Sequence, residues 1–167
     1  MKTYAAERIR NVGLFSHGGA GKTSLSEAML FTTGAVTRLG RVEDGNTVSD
    51  WDPDEAKRGM SISTSVIPIE WREHKLNILD TPGYADFVGD VKAAASVVDC
   101  AVILLDASAG VEVGTEMAWK TALEQRLPRA TQLAQITETR CGGSVPRCHN
   151  PPSQQQLPHR LVCQQFL

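Results

Sequence analysis

The stretch Ile9-Arg10-Asn11-Val12-Gly13-Leu14-Phe15-Ser16-His17-Gly18-Gly19-Ala20-Gly21-Lys22-Thr23-Ser24 decides the fold. Ile9 to Phe15 reads as a buried strand. Lys22 to Thr32 reads as a helix with Leu25, Ala28, Met29 and Thr32 along one face. Between them lies a glycine-rich turn. A polyphosphate presents oxygens in every direction, so its cradle needs inward-pointing backbone N–H groups and no bulky side chains. Gly18, Gly19 and Gly21 meet that need, and the following helix adds its positive end. Lys22 supplies a point charge for the outer phosphates, and Thr23 offers a hydroxyl to Mg²⁺. The usual pattern has glycine where this chain has Ser16, a small residue that the turn tolerates.

Further along, Asp80-Thr81-Pro82-Gly83 follows a second strand-like run, Lys75 to Leu79. A carboxylate buried at the end of such a strand needs a partner, and Mg²⁺ or its water is the natural one. Gly83 has no side chain to keep its peptide from turning an N–H toward a γ-phosphate. Two phosphate-handling motifs, each at the C-terminal end of a strand, imply a nucleoside triphosphatase.

The rest of the chain fits around these motifs. Val36 to Thr64 has little periodicity and reads as a long functional loop. Its acidic cluster, Asp50, Asp52, Asp54 and Glu55, reads as a solvated face, because the spacing is not that of a calcium loop. Ser61, near the loop's end, is a candidate hydroxyl ligand for Mg²⁺, with Ser63 and Thr64 as alternative registers. Ser65 to Trp71 alternates like a strand, and Pro68 places it at a sheet edge. A turn at Arg72-Glu73-His74 joins it to its hairpin partner. Phe87, Val91, Ala94, Ala95 and Val98 recur at helical spacing. Cys100 to Leu105 is a continuously apolar strand, and Gly114 to Leu127 is a last helix with Trp119, Leu123 and Leu127 four apart. The order predicts an α/β fold of the P-loop nucleoside-triphosphatase type. Its sheet is mostly parallel, with one antiparallel edge strand, and is incomplete on the C-terminal side.

The net charge of −2 argues against broad electrostatic binding to nucleic acid or membrane. No run is long and apolar enough to span a bilayer. Four cysteines, one of them inside an apolar strand, point to a reducing cytoplasm rather than a disulfide framework. The composition breaks at Ala130. Residues 1–129 carry 14 Lys and Arg against 18 Asp and Glu, whereas residues 130–167 have three Arg, one Glu and neither Lys nor Asp. That second segment holds three of the four cysteines and runs of Gln. It reads as an irregular or disordered tail, resembling an out-of-frame continuation, with no strand after Arg129. Its Cys141, Cys148, His149, His159 and Cys163 match no common zinc spacing.

From about Arg10 to Arg129 the chain resembles the N-terminal GTP-binding domain of elongation factor G. The resemblance rests on the phosphate loop, Arg58-Gly59-Met60-Ser61-Ile62, Asp80-Thr81-Pro82-Gly83-Tyr84-Ala85-Asp86-Phe87 and Asp106-Ala107-Ser108-Ala109-Gly110-Val111-Glu112. It implies GTP and Mg²⁺ as ligands, GTP hydrolysis, the ribosome as partner and a monomer. It assigns Ser16, His17, Gly18, Gly19, Ala20, Gly21, Lys22, Thr23, Ser24, Asp80 and Gly83 to the nucleotide, and Thr23, Ser61 and Asp80 to the metal. Lys22, Gly83 and Tyr84 would act in catalysis. The chain departs from the family pattern at four places. Gly19 replaces an acidic residue. Ser61 replaces a threonine. Tyr84 replaces a water-orienting histidine, and a phenol is a poor proton acceptor at neutral pH. The Asn-Lys-x-Asp stretch that reads guanine is absent. A non-guanine ATPase and a non-functional fragment are the alternatives.

Overall fold

The computed structural model describes residues 2–134. The strands are β1 (Ile9–Phe15), β2 (Ser65–Trp71), β3 (His74–Asp80), β4 (Cys100–Asp106) and β5 (Arg129–Ala134). The helices are α1 (Lys22–Thr32), α2 (Pro53–Arg58), α3 (Val88–Ala95) and α4 (Val113–Glu124). One sheet runs in the order β2-β3-β1-β4-β5. All pairings are parallel except β2 with β3.

Successive side chains of a strand point to opposite faces of its sheet, and here both faces are covered. Leu14, Ile78 and Leu104 face one way, into a cluster with Leu30 of α1 and with Ile67 and Ile69 of β2. Their neighbours Phe15, Leu79 and Ile103 face the other way, against Ala94 and Ala95 of α3 and Ala118 and Ala122 of α4. The β2–β3 hairpin closes through Arg72 and Glu73, both at positive φ (44° and 63°), as a tight hairpin turn demands. Pro68 sits on the outer strand opposite Asn77, where its missing N–H costs no ladder bond.

Four expectations need correction. A strand does follow Arg129. β5 pairs with β4 from Ala101↔Arg129 to Asp106↔Ala134, although its sequence lacks an apolar alternation. The free backbone edge of β4 recruits it, so the compositional break at Ala130 is not the end of the sheet. The long loop contains a helix, α2. Asp52 caps its N-terminus by accepting from Asp54 N–H at 2.8 Å, Pro53 occupies the first turn, and Gly59 ends it in the left-handed conformation at φ 62°. Trp119 and Leu123 do not make the buried face of α4. They are exposed, and Ala118 and Ala122 pack instead, because small residues let the helix approach α3 and the sheet. On α1, Leu25, Ala28 and Met29 are only half-buried and Thr32 is exposed. Leu25 and Met29 still pack against the core cluster, but the buried positions are the polar Lys22, Thr23, Ser26 and Glu27 together with Leu30. The remainder of the expected tail, with its Cys and His candidates, lies outside the described residues.

Candidate functional site

β1 and β3 are direct neighbours, with Leu14 opposite Asp80. The turn that leaves β1 and the turn that leaves β3 therefore start one strand spacing apart. Thr81 reinforces this junction, its buried hydroxyl donating to the Leu14 carbonyl at 2.7 Å. Both turns emerge at the C-terminal edge of the sheet, where ligand sites of open α/β sheets form.

In the first turn Gly19 and Gly21 adopt φ of 82° and 89°, a left-handed backbone that L side chains rarely take. Ser16 is buried, and its hydroxyl donates to the Leu104 carbonyl at 2.6 Å. The residue that departs from the usual glycine thus ties the turn to β4. Lys22 folds back so that Nζ donates to the His17 carbonyl at 2.9 Å and, at 3.4 Å, to that of Ser16. Burial pushes its ammonium down to about 8, against a pull upward from Asp80. His17 turns Nε2 toward Glu112 Oε1 at 3.7 Å. Ser24 lies exposed on the first turn of α1, and Ala20 is buried.

The second turn comes close to the first. A Cβ on Gly83 would lie 2.5 Å from Gly18 N and 2.6 Å from Lys22 Nζ, so only glycine permits this approach. The Tyr84 ring rests on Gly18, where an added Cβ would fall 2.7 Å from Cζ. Asp80 is buried. Its Oδ2 accepts from Thr23 Oγ1 at 2.9 Å and Ser26 Oγ at 3.3 Å, and its Oδ1 has no partner. Burial raises its carboxyl to about 6, more than the hydrogen bond from Thr23 and the charge of Lys22 lower it.

The loop between α1 and β2 supplies the third wall. Ser61 Oγ lies 3.3 Å from Thr23 Oγ1 and donates to Asp50 Oδ1 at 2.8 Å. Of the hydroxyls at Ser61, Ser63 and Thr64, it is the Ser61 hydroxyl that comes beside Thr23. The expected solvated acidic face is split, with Asp54 exposed and Asp52 half-buried. Asp50 and Glu55 are buried, and Glu55 Oε1 accepts the N–H groups of Ile62 and Ser63 at 2.8 and 2.9 Å. Those two bonds close the segment around Ser61. The signal for this arrangement was the Asp52-Pro53 start and Gly59 stop of α2, which place Glu55 on the helix facing the returning chain.

These three walls enclose a cleft of about 220 Å³, lined among others by Gly18, Gly21, Lys22, Thr23, Ser61 and Gly83. Among the described residues no group of three His, Cys, Asp or Glu side chains could hold a metal ion. The site instead offers two hydroxyls and one carboxylate oxygen without a partner. That donor set suits a hard cation that also takes oxygens from its substrate, as Mg²⁺ does.

The sequence matches the family described as the elongation factor Tu GTP binding domain over residues 7–136. The mitochondrial ribosome-releasing factor 2 of Candida dubliniensis is 42% identical over 139 residues, covering 83% of this chain and 17% of that protein. Elongation factor G 2 of Borreliella afzelii is 40% identical over 121 residues, covering 72% of this chain and 18% of that protein. A crystal structure of a Thermus thermophilus protein superposes with a TM-score of 0.74 at 44% identity, over 75% of this chain and 19% of the other. Translation elongation factor SelB from Methanococcus maripaludis, solved with the GTP analogue GppNHp, shares the fold at 21% identity and a TM-score of 0.55, over 73% of this chain and 21% of the other. The chain thus spans under a fifth of the length of the curated relatives it matches. No helix among the described residues is long and apolar enough to cross a membrane.

Proposed function

The chain belongs to the elongation factor Tu GTP-binding domain family, and from that premise we propose that it binds Mg²⁺-GTP and hydrolyses it. In this reading it is part of an elongation factor G-like protein that acts on the ribosome as a monomer. The observation that supports the reading is the convergence of Gly18, Lys22 and Gly83, where a Cβ on Gly83 would lie 2.5 Å from Gly18 N and 2.6 Å from Lys22 Nζ, so that two backbone turns and one ammonium border one small space. The N–H groups from Gly18 to Thr23 face the phosphates. Lys22 exchanges its two carbonyl partners for phosphate oxygens. Mg²⁺ would be held by Thr23, Ser61 and Asp80, and when bound it neutralises charge on the phosphates. Gly83 turns its N–H to the γ-phosphate, and Tyr84 above Gly18 shields the attacking water without serving as a base. The compartment is a reducing one that contains ribosomes. The cytoplasm is the expectation from composition, and the mitochondrial names among the relatives make the matrix its alternative.

One observation favours a second reading. The sequence lacks the Asn-Lys-x-Asp stretch, so the site could recognise phosphates and be blind to the base. Displacement of a fluorescent guanine nucleotide, with and without Mg²⁺, separates the two. The proposal expects GTP and GDP to compete, more tightly with Mg²⁺, and ATP to compete poorly. Equal competition by ATP would establish the base-blind reading. No Mg²⁺-dependent binding of either nucleotide would refute both.

A further inference from the structure

Glu27 has no place in the phosphate chemistry, yet it is among the most buried charged residues of the fold, at 1% exposure. It stands one helical turn after Thr23 on α1, and its Oε1 accepts the Val48 N–H at 2.5 Å. The next residue is held from the other side, where Ser65 Oγ of β2 donates to the Ser49 carbonyl at 2.7 Å. Asp50 follows directly, and Asp50 is the acceptor of the Ser61 hydroxyl. The second oxygen of Glu27 packs against Gly40, so closely that a Cβ there would overlap Oε2 and lie 3.0 Å from the Asn46 carbonyl. Glu27 thus touches the loop at Gly40 and again at Val48, pinning both ends of the stretch between them.

We propose that Glu27, with Ser65, is a positioning clamp that holds the loop of residues 40–50 closed and so delivers Asp50 and Ser61 to the phosphate site. This rests on the nucleotide-binding reading above and adds how the loop is held. A carboxylate accepting a backbone N–H makes a charge-assisted bond, stronger than a neutral one. Val48 itself is exposed, so without this bond its N–H turns to water and the loop gains by opening. Glu27, Val48 and Ser65 do not line the cleft themselves, whereas Asp50 and Ser61 do. Loss of the clamp should therefore weaken binding of a triphosphate, which Ser61 helps to sense, and leave a diphosphate unchanged.

The test uses the full chain and two readouts. The first is hydrogen exchange at the Val48 amide without nucleotide. The second is the ratio of affinities for Mg²⁺ complexes of a fluorescent non-hydrolysable GTP analogue and the matching GDP probe. In Glu27→Ala, Val48 should exchange at least about tenfold faster, and the affinity ratio should fall by about the same factor. Glu27→Gln keeps a carbonyl oxygen for the Val48 N–H and should stay near wild type. Gly40→Ala leaves Glu27 in the sequence but crowds its carboxylate, and should behave as Glu27→Ala does. It is the deciding variant should Glu27→Ala lose its cooperative unfolding. Wild-type exchange and a wild-type ratio in Gly40→Ala would overturn the proposal, as would loss of protection in Glu27→Gln equal to that in Glu27→Ala. Failure of every form to bind nucleotide would refute the guanine-nucleotide reading, while fast Val48 exchange in Glu27→Ala alone would still support the clamp.

Discussion

Replacing Asp80 by asparagine should make the ligand-free protein more stable while removing its response to Mg²⁺. In the fold the carboxyl titrates at about 6, against 3.8 in an unfolded chain. Between those values the native state binds more protons than the unfolded state, so stability falls as pH rises. This is the reverse of a salt-bridged carboxylate. Above pH 6 the full penalty is in place. The difference of about two pH units corresponds to about 3 kcal/mol. Asparagine resembles the protonated acid in shape and charge. It keeps one oxygen for Thr23 and puts an amide where Oδ1 now lacks a partner. Urea unfolding at pH 7.5 should therefore show Asp80→Asn more stable by about 3 kcal/mol, and the gap should close below about pH 4. Adding Mg²⁺ with GTP should stabilise the wild type and leave the variant nearly unchanged. A variant no more stable than wild type at pH 7.5 would refute the reasoning. So would a gap that persists unchanged at low pH.

Lys22 gives the mirror-image pH profile. Its ammonium deprotonates at about 8 in the fold and at 10.5 when unfolded, so ligand-free stability should climb between those values, and Lys22→Met should flatten that limb in a pH series of urea midpoints. Gly83→Ala inserts a methyl 2.5 Å from Gly18 N, and should abolish the preference for triphosphate over diphosphate in the fluorescent-probe titration. Tyr84→His should speed single-turnover hydrolysis with ribosomes, because imidazole can accept a proton where a phenol cannot; an unchanged rate would count against a catalytic deficit at this position. Asp52→Ala removes the cap of α2 and should lower stability by about 1 kcal/mol in urea unfolding.

The parts of the fold that were legible in sequence are those where local pattern and tertiary environment agree. β1 and α1 fall at the expected residues because an apolar run, a glycine turn and an 11-residue helix follow one another without competing signals. The convergence of the two phosphate motifs was legible for the same reason, since each ends a strand and β1 and β3 pair. What stayed hidden depends on partners distant in sequence. β5 forms on the open edge of β4 despite a weak pattern of its own. Asp50, Glu55 and Glu27 look like surface charge, yet each is buried against backbone or hydroxyl donors supplied by the loop. Burial of a carboxylate follows from where donors lie in space, and one-dimensional spacing does not report that. Only α2 carried readable punctuation, an Asp-Pro start and a Gly stop, inside a stretch whose polarity masked it.

The pairing of Leu14 with Asp80 has a mechanical corollary. Adjacent hydrogen-bonded strands cannot separate without breaking the sheet, so the glycine-rich turn after β1 and the Asp80 carboxylate at the end of β3 behave as one rigid body. Any on–off behaviour must therefore reside in the flaps above them, the loop bearing Ser61 and the segment bearing Tyr84. A macromolecule that sets the pace of turnover would do so by pressing on or releasing those flaps, because the floor beneath them has no slack to exploit.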